Sequence, residues 1–250
     1  MRIGAAALAG GFFGLLGTLC FFLAFGTDYW LVASDNCGPY SWPTQTSIMM
    51  NGTNGTEVQS VETITASPPS LILHHEGFFW RCVFHMEPTT HAYLATLFTN
   101  QPQSKVCVHG YLFPLPVAIG HVPHANYDTT AVFRGFWTVL IILGLASALI
   151  GGFLLVCGVP FISARLYKLG GVFLITAACL FLFMLLLYVL WMEVVDVKRY
   201  ILQERGDTCV NAEVSVLYGL SFMVAAAGVS LELVSGLVFM AVGRALGTSK

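Results

Sequence analysis

Charge is what this chain has least of. Asp, Glu, Lys and Arg together make up 10% of its 250 residues, against roughly 25% in an ordinary soluble domain. Hydrophobic types make up 56%. So few charges cannot cover that much apolar surface in water, which excludes a soluble globular domain, and a disordered chain would show the opposite bias. Eleven Lys and Arg face thirteen Asp and Glu, for a formal net charge of −2. No basic block is present, so the chain lacks the electrostatic footprint of a nucleic-acid binder. Also missing are a nucleophile motif, paired carboxylates and a phosphate-cradling loop. The glycine-rich run Gly10-Gly11-Phe-Phe-Gly14-Leu-Leu-Gly17 is followed by no Lys-Ser or Lys-Thr. No catalytic residue, enzyme activity or cofactor is expected, and lipid is the solvent to reason about.

A helix needs about 20 apolar residues to cross the hydrocarbon, and four runs meet that length. Ile3 to Gly26, Gly135 to Val159 and Leu169 to Met192 carry no charge, and Val216 to Val242 is interrupted only by Glu232. The first run is too long and lacks the small-x-small cleavage site of a signal peptide, so it is expected to stay as a helix. The cations set the orientation. With the N-terminus in the cytoplasm, Arg2, Arg165, Lys168, Arg244 and Lys250 are inside with no acid beside them, as the positive-inside rule requires. The expected organisation is therefore an N-terminus and first span over 1–26, an extracellular loop over 27–134 and a second span over 135–159. A cytoplasmic loop over 160–168, a third span over 169–192, a second extracellular loop over 193–215, a fourth span over 216–242 and a cytoplasmic tail over 243–250 follow. The fold class is membrane α, a four-transmembrane-helix bundle carrying a small extracellular antiparallel β-sheet, in the plasma membrane with both termini cytoplasmic.

The large first loop holds most of the remaining signals. Asn51-Gly-Thr53 and Asn54-Gly-Thr56 are N-glycosylation sequons in a Ser/Thr/Gly-rich stretch, Thr44 to Ser70, that reads as an exposed insertion. Asp28 to Val32, Phe78 to Phe84 and Lys105 to Phe113 are rich in aromatic and β-branched residues and read as three strands. Trp30 and Tyr29 fall where an interfacial aromatic belt should lie. Of seven cysteines, Cys20, Cys157 and Cys179 are within spans, while Cys37, Cys82, Cys107 and Cys209 are outside, in an oxidising setting that favours two disulfides. Four cysteines allow three connectivities. Cys82 with Cys107 and Cys37 with Cys209 is favoured because a local staple closes most easily, and the other pairings stay open. All seven histidines (74, 75, 85, 91, 109, 121 and 124) are in this loop. They read as exposed imidazoles rather than a metal site, since neither His121-Val-Pro-His124 nor His74-His75-Glu76 sits on a clear helix with ligand spacing.

Trp30, then Gly77-Phe78-Phe79-Trp80-Arg81-Cys82, then Cys107 and Arg134 entering the second span together resemble the signature of the claudin superfamily. Here Phe78 stands for the usual Leu, and Phe79 for the usual Trp, with the indole displaced to Trp80. Within that superfamily the chain is similar to the transmembrane protein 182 family. The matching stretches are His74 to Cys82, Thr99-Asn-Gln-Pro102, Arg134-Gly-Phe-Trp137, Gly170-Gly171 and Ser215-Val-Leu-Tyr-Gly219. The resemblance implies a tetraspan surface protein that modulates cell adhesion and muscle-cell differentiation or fusion by binding a membrane partner, an integrin β subunit or another surface receptor. A claudin-like barrier protein and an auxiliary subunit of a channel or receptor are the alternatives. The chain ends in Gly-Thr-Ser-Lys250, and a terminal Lys does not fill the apolar pocket of a PDZ groove, which weighs against the barrier reading.

Two features within the spans complete the reading. Gly10-x-x-x-Gly14, Gly144-x-x-x-Ala148 and Ala225 to Gly228 form small-residue faces that let helices approach closely, inside one bundle or between copies in a homo-oligomer. Glu232 is expected to be protonated and hydrogen-bonded within the bundle, because no span residue offers it an opposite charge and a lone acid is too little for an ion path.

Overall fold

The computed structural model describes residues 2–35, 71–86, 106–109, 125–198, 201 and 214–248. Four long helices dominate: α1 (Arg2–Gly26), α2 (Ala125–Phe161), α3 (Ala164–Val194) and α4 (Leu220–Thr248). Each contains a stretch long and apolar enough to cross a membrane. In lipid no water can satisfy a free peptide group, so a run this apolar must close its hydrogen bonds within itself, as a helix does. The helices outrun the apolar runs that announce them. α2 begins at Ala125 rather than Gly135, α3 takes in Arg165 and Lys168, and α4 continues to Thr248. Hydropathy reports which residues can lie in lipid, whereas a helix continues into water while its i to i−4 bonds persist. α2 turns into α3 through Ile162 and Ser163, with Ile162 at φ 43°.

Successive packing of α2 on α3, α3 on α4 and α4 on α1 builds the bundle, while α1 and α2 touch sparsely. The small-residue faces serve this packing. A Cβ placed at Gly14 would lie 2.7 Å from the Ser235 hydroxyl, and one at Gly144 would lie 2.7 Å from the Phe181 ring. With no side chain at Gly14, Ser235 reaches across from α4 to donate to the Gly10 carbonyl at 2.7 Å. Close backbone approach of this kind replaces the hydrophobic driving force that lipid cannot supply.

On one end of the bundle stands a five-stranded antiparallel sheet made of β1 (Leu31–Asp35), β2 (Leu71–Glu76), β3 (Trp80–Met86), β4 (Val106–His109) and β5 (Val214–Tyr218), in the order β4-β3-β2-β1-β5. The three strands expected from sequence correspond to β1, β3 and β4, with β1 starting at Leu31 and β3 at Trp80. β2 and β5 are additions. Val216 to Tyr218 were assigned to the fourth span and instead pair with β1, with Leu217 opposite Val32 and Tyr218 opposite Leu31. Val-Ser-Val-Leu-Tyr is as apolar as a span, but β-branched and aromatic residues also suit a strand, and the free edge of β1 decides between them. Gly219 makes the corner. Its N–H donates to the Trp30 carbonyl at 2.9 Å, and a Cβ there would fall 2.0 Å from the Tyr29 carbonyl oxygen, so only glycine fits.

Candidate functional site

At the seat of the sheet on the bundle, aromatic rings and charged side chains gather. The centre of this seat is Trp30, which leaves α1 by only four residues and folds back into the top of the bundle. Its indole N–H donates to the Ala24 carbonyl at 2.7 Å, and the residue is 1% exposed. The ring stacks on Phe25 at 5.6 Å and meets Phe78 edge-on at 4.7 Å and Tyr188 at 5.4 Å. Trp137 of α2 extends the nest towards Tyr188 at 5.3 Å and Trp191 at 5.5 Å, the last pair perpendicular. Such offset and edge-to-face pairs add about 0.5–1.5 kcal/mol each beyond their area burial. Phe78 reaches the nest because Gly77 lets the β2–β3 turn press against the end of α1. A Cβ on Gly77 would lie 2.6 Å from the Asp28 Cα.

An ion cluster fastens the same seat. Glu76, the last residue of β2, is opposite Arg81 across the hairpin and opposite Leu31 on the other side. Arg81 Nη2 donates to Glu76 Oε1 at 2.9 Å, and Arg134 of α2 donates through its own Nη2 to that same oxygen. His74 Nε2 lies 3.8 Å from the second oxygen. Burial would by itself push the Glu76 carboxyl up. The Arg81 and Arg134 guanidiniums, with His74, outweigh it and hold the carboxyl well below its usual range. Glu76 is therefore a carboxylate at neutral pH. It joins sheet to helix through Arg134, while Arg81 ties it within the hairpin. The small space bounded by Trp30, Phe78, Arg134 and Trp137 is about 20 Å³, room for about one water. The arrangement fixes the shape of the seat.

The disulfide Cys82–Cys107 is present and joins directly opposed residues of β3 and β4. Cys37, Cys209, Asn51 and Asn54 lie outside the described residues. Two expectations need correction. Trp30 is a plug within the bundle and not a residue of the interfacial belt, because a turn at Thr27 to Tyr29 returns it to the helix ends. His74 and His75 are not exposed imidazoles; they are 4% and 1% exposed, as adjacent residues of an inner strand flanked by β1 and β3. Of the four signature positions 77–80, Phe78 alone fills the nest, while Phe79 and Trp80 are 38% and 47% exposed.

Away from the seat, Glu232 of α4 is fully buried. Its Oε1 accepts from the Thr18 hydroxyl of α1 at 2.8 Å, so the expected hydrogen bond within the bundle is found. Gly17 makes room for it, since a Cβ there would lie 3.1 Å from Glu232 Cγ. Among the described residues, no His, Cys, Asp and Glu side chains gather in threes as a metal site needs.

Sequence reading gave Trp30, Gly77, Phe78 and Arg134 a place in the signature but no role to their partners Glu76, Arg81, Tyr188 and Trp191. A usable signal was present for some. Arg134 and Trp137 share a helix face at a spacing of three, as do Tyr188 and Trp191 at the cap end of the third apolar run. Nothing in the spacing of Glu76 announces that it would meet Arg134, 58 residues away.

Comparison with known proteins agrees with this geometry. A family profile described as "PMP-22/EMP/MP20/Claudin tight junction" matches residues 15–241. Proteins named Transmembrane protein 182 are similar over almost their whole length. The Mus musculus protein is 40% identical over 98% of this chain and 97% of the relative, the Homo sapiens protein 39% over 97% of both, and the Danio rerio protein 37% over 98% and 97%. A four-helix bundle carrying a Trp30-plugged, disulfide-braced sheet, with likeness along nearly the entire chain, makes this protein a member of the claudin family, in the group that includes Transmembrane protein 182.

Proposed function

We propose that this protein is a non-enzymatic, multi-pass protein of the plasma membrane whose cap binds a membrane partner and thereby modulates cell adhesion and muscle-cell differentiation or fusion. The partner is an integrin β subunit or another surface receptor. Both termini face the cytoplasm, the cap faces outwards, and at least one of the sequons at Asn51 and Asn54 carries a glycan. The observation that carries the reading is the seat itself. A sheet held by a disulfide, an ion cluster and an aromatic nest presents a fixed surface, which favours recognition over reaction. Adhesion, muscle and integrin come from the resemblance to the transmembrane protein 182 family, not from any one residue.

Proximity labelling from the extracellular side in fusing muscle cells tests this. An integrin β subunit should be among the labelled proteins, and its recovery should fall with a Trp30→Ala chain that still reaches the surface. Labelling of no adhesion receptor, together with a change in transepithelial resistance and charge selectivity in transfected epithelial monolayers, would replace this reading with a barrier function.

A further inference from the structure

The bundle is filled unevenly along its length. At the cap end, Phe21, Phe25, Trp137 and Phe181 occupy the space among the helices and are nearly fully buried. Towards the other end α1 and α2 separate and leave a groove of about 320 Å³. Gly11 and Leu15 of α1 and Gly152 and Val156 of α2 form its sides, with Leu174 and Phe239 beneath. Two of these glycines differ from those that pack helices. A Cβ at Gly152 would meet nothing within 4 Å, and one at Gly11 would meet only the Phe239 ring edge at 3.9 Å. No protein neighbour requires them to lack a side chain, so the room they leave lies outside the packed bundle.

We propose that this groove holds one acyl chain of an anionic phospholipid from the leaflet remote from the cap. Every residue lining the groove is within a membrane-crossing stretch, so hydrocarbon is what surrounds it. An apolar space of this kind does not hold water, and leaving it unfilled would forfeit the dispersion contacts of its lining. The volume is at the small end of the range for ligand sites, roughly 300–1,000 Å³. A helix of a second copy, about 10 Å across, could rest on the rim but not enter. The two hydroxyls in the wall donate within the bundle, Thr18 to Glu232 and Ser235 to the Gly10 carbonyl, so the wall offers a ligand hydrocarbon and no free O–H donor, which suits a flexible acyl chain. Arg165 and Lys168 of α3 and Arg244 of α4 are at the same end, with no acid beside them among the described residues, a charge balance that attracts an anionic headgroup.

The test reconstitutes the full chain in vesicles of phosphatidylcholine and phosphatidylserine. A small fraction of the phosphatidylserine carries a photoactivatable diazirine on its acyl chain, and labelled peptides are mapped after illumination. Label should concentrate on residues 11–18 and 149–156. Gly152→Leu should lower it there several-fold while leaving unchanged the label on Leu182 and Leu186, which are exposed on α3. Gly11→Leu provides a second, independent block, and both variants should keep the wild-type melting temperature. Even labelling along all four helices, or labelling indifferent to both substitutions, would overturn the proposal. So would preferential capture of a photoactivatable cholesterol at these residues, or copies of the chain cross-linked through them. Unfolding of both variants would show that the space is not open, and would overturn it equally.

Discussion

The chain buries two glutamic acids and partners them in opposite ways. Glu76, in the cap, has two guanidiniums on one oxygen, from side chains 19% and 20% exposed that keep part of their charge in water. Glu232, inside the bundle, has a single threonine hydroxyl, from α1, among the described residues. Burying a cation beside an anion costs several kcal/mol per ion unless the geometry compensates. At the membrane edge, water still solvates the far side of each arginine and lowers that cost. Within the spans there is no such help, and a neutral hydroxyl is the less expensive partner. The comparison separates two tasks. Glu76 fastens the sheet to the bundle, and Glu232 marks the α1–α4 seam, where Gly10, Gly14 and Gly17 bring the backbones together.

Substitutions should divide along that line. The largest loss is expected for Trp30→Ala, which empties the aromatic nest and should cost about 3–5 kcal/mol, read as a lower melting temperature in detergent and reduced delivery to the cell surface. Glu76→Gln comes next. It leaves Arg81 and Arg134 facing a neutral group and should cost about 3 kcal/mol.

That second effect has a pH signature. Because the folded Glu76 carboxyl is held well below its usual range, its contribution is complete above the unfolded value, about 4.3. It is lost only as pH falls below that towards the folded value. The stability difference between wild type and Glu76→Gln should therefore be constant from neutral pH to about pH 5 and shrink in stronger acid. A difference already falling between pH 7 and 6 would contradict a Glu76 carboxyl held well below its usual range.

Removing the staple with Cys82→Ser and Cys107→Ser together should cost about 2–4 kcal/mol, measured by thermal unfolding, with the helices retained in circular dichroism. The smallest effect is expected for Glu232→Gln, under about 1 kcal/mol, because the amide oxygen still accepts from Thr18. A loss there as large as that of Glu76→Gln would erase the distinction between the two acids.

Much of this was legible in the sequence, and the omissions have physical causes. Four spans are written in the near absence of charge. Trp30, Gly77, Cys82, Cys107 and Arg134 were identified before their geometry, through the resemblance. β5 was not, because Val214 to Tyr218 is apolar enough to pass for the start of a span, and only pairing with β1 makes it a strand. β2 was hidden for a similar reason: His74, His75 and Glu76 look like surface residues until an inner strand position buries them. The partnership of Glu76 with Arg134 is a tertiary fact, created when the sheet meets α2, and no local pattern carries it.

The central claim is that Glu76 and Arg134 act as one fastening between cap and bundle. A double-mutant cycle of Glu76→Gln and Arg134→Gln, read by thermal unfolding, tests it most directly. The account predicts that the double variant is less destabilised than the two singles combined, by about 1–3 kcal/mol. Effects that simply add, within about 0.5 kcal/mol, would contradict it.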